Sequence, residues 1–171
     1  MKSARTAPPA RPEPGWSPVD PLGIESGRGS FVSGEPEGER LRVRYFTDAE
    51  GRLVGKAWFG PGALGPPGHA HGGSIAAVLD EAMGAAAWLA GHRAVAVHLA
   101  TDFRRMLPLG TDAIFEAWIE SVDGRKVSTR SRLFGPDGET SAEASALFLV
   151  LDPVRFAELL AAHRQERAEG G

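Results

Sequence analysis

The sequence contains no cysteine, which excludes a disulfide framework, a thiolate metal site and a cysteine nucleophile. A chain without thiols also fits a reducing, cytosolic setting. No stretch reaches the roughly 18 uninterrupted apolar residues of a transmembrane span, and no apolar run near the start makes the h-region of a secretory signal. Basic excess is missing too. The formal net charge is -3, so the positive field that drives nucleic-acid binding is absent. What is present is 171 residues, 42% of them hydrophobic, enough for one compact domain with its own core and not for a second catalytic domain.

Glycine and proline, 22 and 13 residues, are unevenly spread. The opening MKSARTAPPARPEPGWSPVDPLG has too few branched aliphatics to offset chain entropy by burial. Residues 1–20 are therefore expected to be a flexible Pro-rich tail, with Trp16 or Val19 docking on the domain. From Glu39 the pattern changes. Leu41, Val43 and Tyr45 alternate with Arg40, Arg42 and Arg44, the period of a half-buried strand. Asp48-Ala49-Glu50-Gly51 predicts a turn, and Leu53–Phe59 the returning strand.

The loop GPGALGPPGHAHGG then leads into Ser74–Ala90, which is alanine-rich and apolar on nearly every face. Such a helix belongs in the middle of a domain, and Gly91 suits the position just past its end. Four more strands are predicted at 94–105, 112–122, 125–134 and 140–151. Pro108-Leu109-Gly110, Asp123-Gly124 and Pro136-Asp137-Gly138 separate them as turns. After Pro153 a short amphipathic helix carries Val154, Phe156, Leu159 and Leu160. The expected class is α+β, an antiparallel sheet of about six strands wrapped around one central helix. Residues 21–152 would form that domain and 153–171 a C-terminal helix and tail. A curled sheet leaves an edge open to a partner, so dimerisation is expected.

Three motif matches lead nowhere. Gly60-Pro-Gly62-Ala-Leu-Gly65 fits G-x-G-x-x-G, yet Pro66-Pro67-Gly68 follows it instead of a helix. His69 and His71 could offer two nitrogens to a metal, but no third ligand is evident, and loop histidines bonding to backbone are the simpler reading. His71-Gly72-Gly73-Ser74 is like an esterase oxyanion loop, but no G-x-S-x-G elbow supplies the serine.

The informative segment runs from His71 to Gly84. Two glycines at the entry of a buried helix leave bare N–H groups at its positive end, suited to a carbonyl oxygen acquiring negative charge. Asp80 is a carboxylate stranded in an otherwise apolar helix, costly unless paired or working. Its neighbours one turn away, Gly73, Ala76, Ala77, Gly84 and Ala87, are small enough for a thin substrate to pass. Asp80 and Gly72 are separated by about 12 Å along one helix, whereas a base and an oxyanion donor must both sit roughly 3 Å from the reacting group. If both act, the Asp80 of one chain meets the Gly72 of another, and a symmetric dimer holds two equivalent sites.

The segment HGGSIAAVLDEAMG, preceded by GPPGHA, resembles the helix motif of the PaaI-like hotdog-fold acyl-CoA thioesterases. DFRRMLPLG resembles their strand-and-loop signature, and SAEASALFLVLDP their closing strand, so the resemblance spans roughly residues 38–152. It implies a sheet wrapped around a central helix, protomers joined edge to edge, and sometimes dimers paired into tetramers. It implies hydrolysis of acyl-CoA or acyl-carrier thioesters with no metal or redox cofactor, coenzyme A entering only as part of the substrate. Gly72 N–H would polarise the thioester carbonyl, His71 and Gly73 would shape that turn, and His69 would lie beside the substrate. Asp80 of the facing protomer would act as general base or as nucleophile. Arg104 and Arg105 match basic positions near the coenzyme A phosphates.

One departure stands out. Many relatives carry Ser or Thr sixteen residues after the aspartate, where this sequence has Ala96. His98 lies two residues along, hence on the same strand face by alternation, and is expected to supply the missing hydrogen bond. The same departure motivates an alternative, a hotdog protein that binds acyl thioesters without cleaving them. Glu81, about 100° around the helix from Asp80, is expected to be a structural or interface residue. Trp88, Phe103 and Trp118 are candidates for an aromatic pocket floor.

Overall fold

The computed structural model describes residues 11–22, 30–35 and 37–169; residues 1–10 of the expected tail and the last two residues lie outside them. The elements run β1 (Ser17–Pro18), β2 (Leu41–Thr47), β3 (Leu53–Phe59), α1 (Gly72–Leu89), β4 (Ala94–Phe103), β5 (Asp112–Asp123), β6 (Lys126–Phe134), β7 (Thr140–Val150) and α2 (Pro153–Glu169). The strands form one seven-stranded antiparallel sheet in the order β1-β2-β3-β5-β6-β7-β4. Only β1, two residues long, is new relative to the sequence reading.

Alternation drives this sheet. On β2 the inward Leu41, Val43 and Tyr45 are buried, and on β5 the inward Ala113, Phe115 and Ala117. Helix α1 crosses that face and touches β3, β4, β5, β6 and β7. Its 18 residues span about 27 Å. Ile75, Val78, Leu79, Ala82, Met83 and Ala85 are buried against Phe59, Phe115, Leu133 and Phe148. Each large side chain so buried contributes about 1.5–3 kcal/mol. The alanines let the helix sit close to the sheet.

Turn chemistry fixes the hairpins. Gly51, at φ 78°, donates its N–H to Asp48 O at 3.0 Å, and Gly124, at φ 55°, joins β5 to β6. Both positions lie in the left-handed region that favours glycine.

The two sheet edges differ. β1 is short and contains Pro18, which has no N–H to offer. Trp16 packs its ring 5.7 Å from that of Phe46, and Val19 N–H donates to Tyr45 O at 3.2 Å. Both residues singled out for docking thus reach the domain. At the other edge β4 runs ten residues and has no strand paired on its outer side among the described residues. Val95, Val97, Leu99 and Phe103 along it are 40–56% exposed. Helix α2 starts on Asp152, whose Oδ1 accepts the N–H groups of Val154 and Arg155 at 2.9 and 3.2 Å. At 17 residues it is longer than expected, and it touches the domain through Phe156, edge-on to Trp88 at 5.8 Å.

Candidate active site

The entry to α1 is stitched in place from both sides. His71 N–H donates to Ala63 O, and Ala70 N–H to Leu107 O, both at 2.8 Å. His71 then caps the helix: its Nδ1 accepts Gly73 N–H at 2.9 Å, which places the proton of a neutral ring on Nε2. Ser74 Oγ donates to His71 O at 2.7 Å. Gly73 N–H is therefore committed, while Gly72 N–H has no acceptor among the described residues. A β-carbon at Gly72 would lie 3.2 Å from the Phe103 ring. Beside this turn runs a groove lined by Pro66, Gly72, Ile75, Phe103, Arg105 and Met106. His69 is not among its lining residues; its Nδ1 donates to Pro67 O at 2.8 Å.

Asp80 faces the same side of the fold. With 100° per residue and Gly72 as origin, Asp80 lies at about 80° and Gly84 at about 120°. Gly72 abuts Phe103 of β4, and Gly84 abuts Phe148 of β7, so Asp80 points at the β4–β7 part of the sheet. Its Oδ1 is buried with no hydrogen-bond partner among the described residues. Burial pushes its pKa up, and the charge of Glu81 pushes it further. A half-buried carboxylate with an unused oxygen and raised basicity is equipped to take a proton.

Glu81 is fully occupied. It accepts Tyr45 O–H at 2.8 Å and Ser30 Oγ–H, tying α1 to β2 and to the segment around Ser30. Burial first, and then the Glu81 charge, holds the Tyr45 hydroxyl well above its usual pKa. The structural role expected for Glu81 is what the contacts show. Its partners were not legible, since Ser30 and Tyr45 carry no spacing relation to it.

The remaining candidates divide. Ala96 pairs with Phe148 and so faces α1. His98 does not share that face. Val97 is an extra residue in the ladder, and His98 pairs with Leu147 instead of following the alternation. The ring therefore projects from the opposite side of β4, and the expectation that it replaces a hydroxyl at position 96 within its own chain is corrected. Trp118 likewise faces away from α1, with Arg132 stacked 5.4 Å from its ring. Trp88 is engaged, its Nε1–H donating to Ala94 O at 3.1 Å.

Arg104 and Arg105 both donate backbone N–H to Ser141 O. Their exposed side chains are already paired, Arg104 with Glu143 at 3.3 Å and Asp102 at 3.9 Å, Arg105 with Glu139 at 3.5 Å and Asp137 at 3.6 Å. Exposed pairs of this kind are worth about 0–1 kcal/mol, so a phosphate could exchange for them at small cost.

Comparison with known proteins bears on the middle of the chain. The sequence profile of the thioesterase superfamily matches residues 67–142, the stretch that holds the capped turn, α1 and the two arginines. Residues 67–142 are thus similar to the thioesterase superfamily. The acyl-coenzyme A thioesterase THEM4 of Xenopus laevis is 36% identical over 110 residues, covering 64% of this chain and 50% of its own length. The chain spans about half the length of the curated relatives it matches. Among solved structures, the thioesterase superfamily protein RHA08564 superposes with a TM-score of 0.59 at 32% identity over 63% of this chain and 56% of its own. The E. coli PaaI protein superposes with a TM-score of 0.60 at 19% identity, covering 64% of this chain and 80% of its own. The sheet wrapped on a central helix is the hotdog fold of this superfamily. No helix among the described residues is long and apolar enough to cross a membrane.

Proposed function

We propose that this chain hydrolyses acyl-CoA or acyl-carrier thioesters to free acid and thiol, in a site shared by two copies. The observation that carries the reading is Asp80, a mid-helix carboxylate with a buried, unpartnered oxygen and a pKa raised by burial. The match to the acyl-coenzyme A thioesterases supports the substrate class. Within one chain Gly72 N–H and Asp80 are about 12 Å apart along α1, too far to serve one carbon. The open edge of β4, with its exposed apolar side chains, suits pairing with a second copy, which would bring the Asp80 of one protomer to the Gly72 turn of the other.

Asp80 removes a proton from water as its oxygen bonds to the thioester carbon. The carbonyl electron pair moves onto oxygen, where the free Gly72 N–H and the positive end of α1 stabilise it. Collapse expels the thiolate, which takes up the proton. The thiolate is a good leaving group, so no strong acid is needed. In a nucleophilic variant, Asp80 itself attacks and water opens the resulting anhydride. Arg104 and Arg105, in exchange for their present carboxylate partners, would meet the phosphates of coenzyme A.

The test is release of free thiol from a panel of acyl-CoAs by wild type and Asp80→Asn. Loss of about 10²–10⁴-fold in kcat is expected from removal of a proton acceptor. Equal rates would remove Asp80 from the reaction. Tight acyl-CoA binding by calorimetry with no turnover in wild type would favour the carrier reading that Ala96 motivates.

A further inference from the structure

Two carboxylates stand side by side on α1, and their surroundings treat them oppositely. Asp80 Oδ1 is buried without a hydrogen-bond partner among the described residues. Glu81 has both oxygens taken: Oε1 accepts Tyr45 O–H at 2.8 Å, and Oε2 accepts Ser30 Oγ–H. The direction of the second bond is fixed. Ser30 Oγ already accepts the N–H groups of Val32 at 3.3 Å and Ser33 at 3.2 Å, which occupies both of its lone pairs, so its proton goes to Glu81. Burial and the Glu81 charge keep the proton on the Tyr45 hydroxyl, which donates it from the other side. Two donors converging on one carboxylate make charge-assisted bonds that weaken when the acceptor is neutralised.

The clasp is part of the fold. Ser30 opens a tight turn closed by Gly34 N–H on Ser30 O at 3.1 Å. Val32 inside that turn is 5% exposed and belongs to the same core cluster as Leu41, Val43 and Tyr45. Around the carboxylate pair the sheet is electrically silent. Among the described residues, Tyr45 is the one titratable side chain on the face turned to α1, where the buried positions of β3, β5, β6 and β7 are apolar or carry hydroxyls. Arg42 and Arg44 on β2 and Lys56 on β3 alternate to the outer face, as His98 and Asp102 on β4 do. His71, at the helix entry, is about 13 Å from Asp80 along the axis. The charge that acts on Asp80 is that of Glu81.

We infer that Ser30 and Tyr45, by holding Glu81 as the anion, decide which of the two neighbours reacts and leave that part to Asp80. The inference deepens the thioesterase reading and rests on it. When the pair holds one proton, that proton resides on Asp80, because on Glu81 it would oppose a hydroxyl donor. A fixed anion next door also makes Asp80 the stronger proton acceptor. Ser30 and Tyr45 are positioning residues that act through Glu81.

The test is the acidic limb of kcat on acyl-CoA. Glu81→Gln should move it down by about one pH unit. Ser30→Ala lets Glu81 share the proton and should move the limb the same way by part of that amount; Tyr45→Phe should do likewise. Ser30→Thr keeps the hydroxyl and should restore the wild-type limb. In the Glu81→Gln background neither loss should move the limb further. A merely structural clasp would lower the thermal midpoint and leave the limb in place. An unmoved limb in Ser30→Ala or in Tyr45→Phe overturns the inference, and so does an equal shift with and without the Glu81 carboxylate; should one variant fail to fold, the other carries the test. Turnover lost in Asp80→Asn, with a limb that Glu81→Gln does not move, sinks this inference and leaves the thioesterase reading standing. A wild type inert on the whole panel sinks both.

Discussion

Removing the charge of Asp80 should make the protein more stable while disabling it. The native state holds a carboxylate that burial and Glu81 both disfavour, so its folded pKa lies above the unfolded one. The sign follows by linkage. Above the folded pKa the native state carries a charge that the unfolded chain solvates better, and stability is reduced in full. Below the unfolded value, about 3.9, both states are protonated and the penalty is gone. Asparagine keeps the shape and removes the charge. An unsatisfied buried polar group costs about 1–3 kcal/mol; part of this survives in the amide, and solvent already relieves a half-exposed site. The expected gain for Asp80→Asn near neutral pH is therefore about 1 kcal/mol, or about 2–4 °C in Tm for a chain of this size. Urea melts of both proteins at one fixed concentration, from about pH 8 down to about pH 4, would show the gap closing as the pH falls. A variant less stable than wild type at the alkaline end, or a gap independent of pH, would refute the argument.

Glu81→Gln keeps an acceptor for Tyr45 but removes the neighbouring charge, so the Asp80 pKa should drop and the acidic limb of the kcat profile should move to lower pH; an unmoved limb would show that Glu81 does not act on Asp80. Gly55→Ala should be severely destabilising, because its β-carbon would lie 2.1 Å from the Phe115 ring and 2.5 Å from Arg44 O. Chemical melts should show a loss above about 3 kcal/mol, beyond the usual range for overpacking. Leu99→Glu on the β4 edge should give monomers by sedimentation and little thioesterase activity, whereas activity in a strictly monomeric variant would contradict the shared site. His71→Ala removes the acceptor of Gly73 N–H and should cost about 0.5–2 kcal/mol, measured by thermal melts.

Local signals carried the sequence a long way. The helix expected at Ser74–Ala90 forms at Gly72–Leu89, because alanine density and the glycine entry are properties of that segment alone. The Asp-Gly turns, with Gly124 and Gly138 at positive φ, likewise needed no distant partner. What escaped depends on pairing. β1 has two residues and no period to detect. The order that sets β3 beside β5 and β4 beside β7 is a property of the whole chain. The misplacement of His98 came from the same source: a strand read as strictly alternating hides the extra residue at Val97, which exists only in relation to β7. Asp80 was legible as an anomaly of composition, one acid among alanines.

That irregularity at Val97 has a use for a molecule with a bare margin. A flat ribbon of free amides accepts any extended stranger, whereas a local kink with tightened twist breaks the evenly spaced template. Beyond it only Leu99–Phe103 remains straight. Such a short landing strip rewards a visitor of matching contour and discourages sliding by a residue pair. The defect in the ladder thereby protects against runaway fibre growth, while leaving room for one well-registered companion.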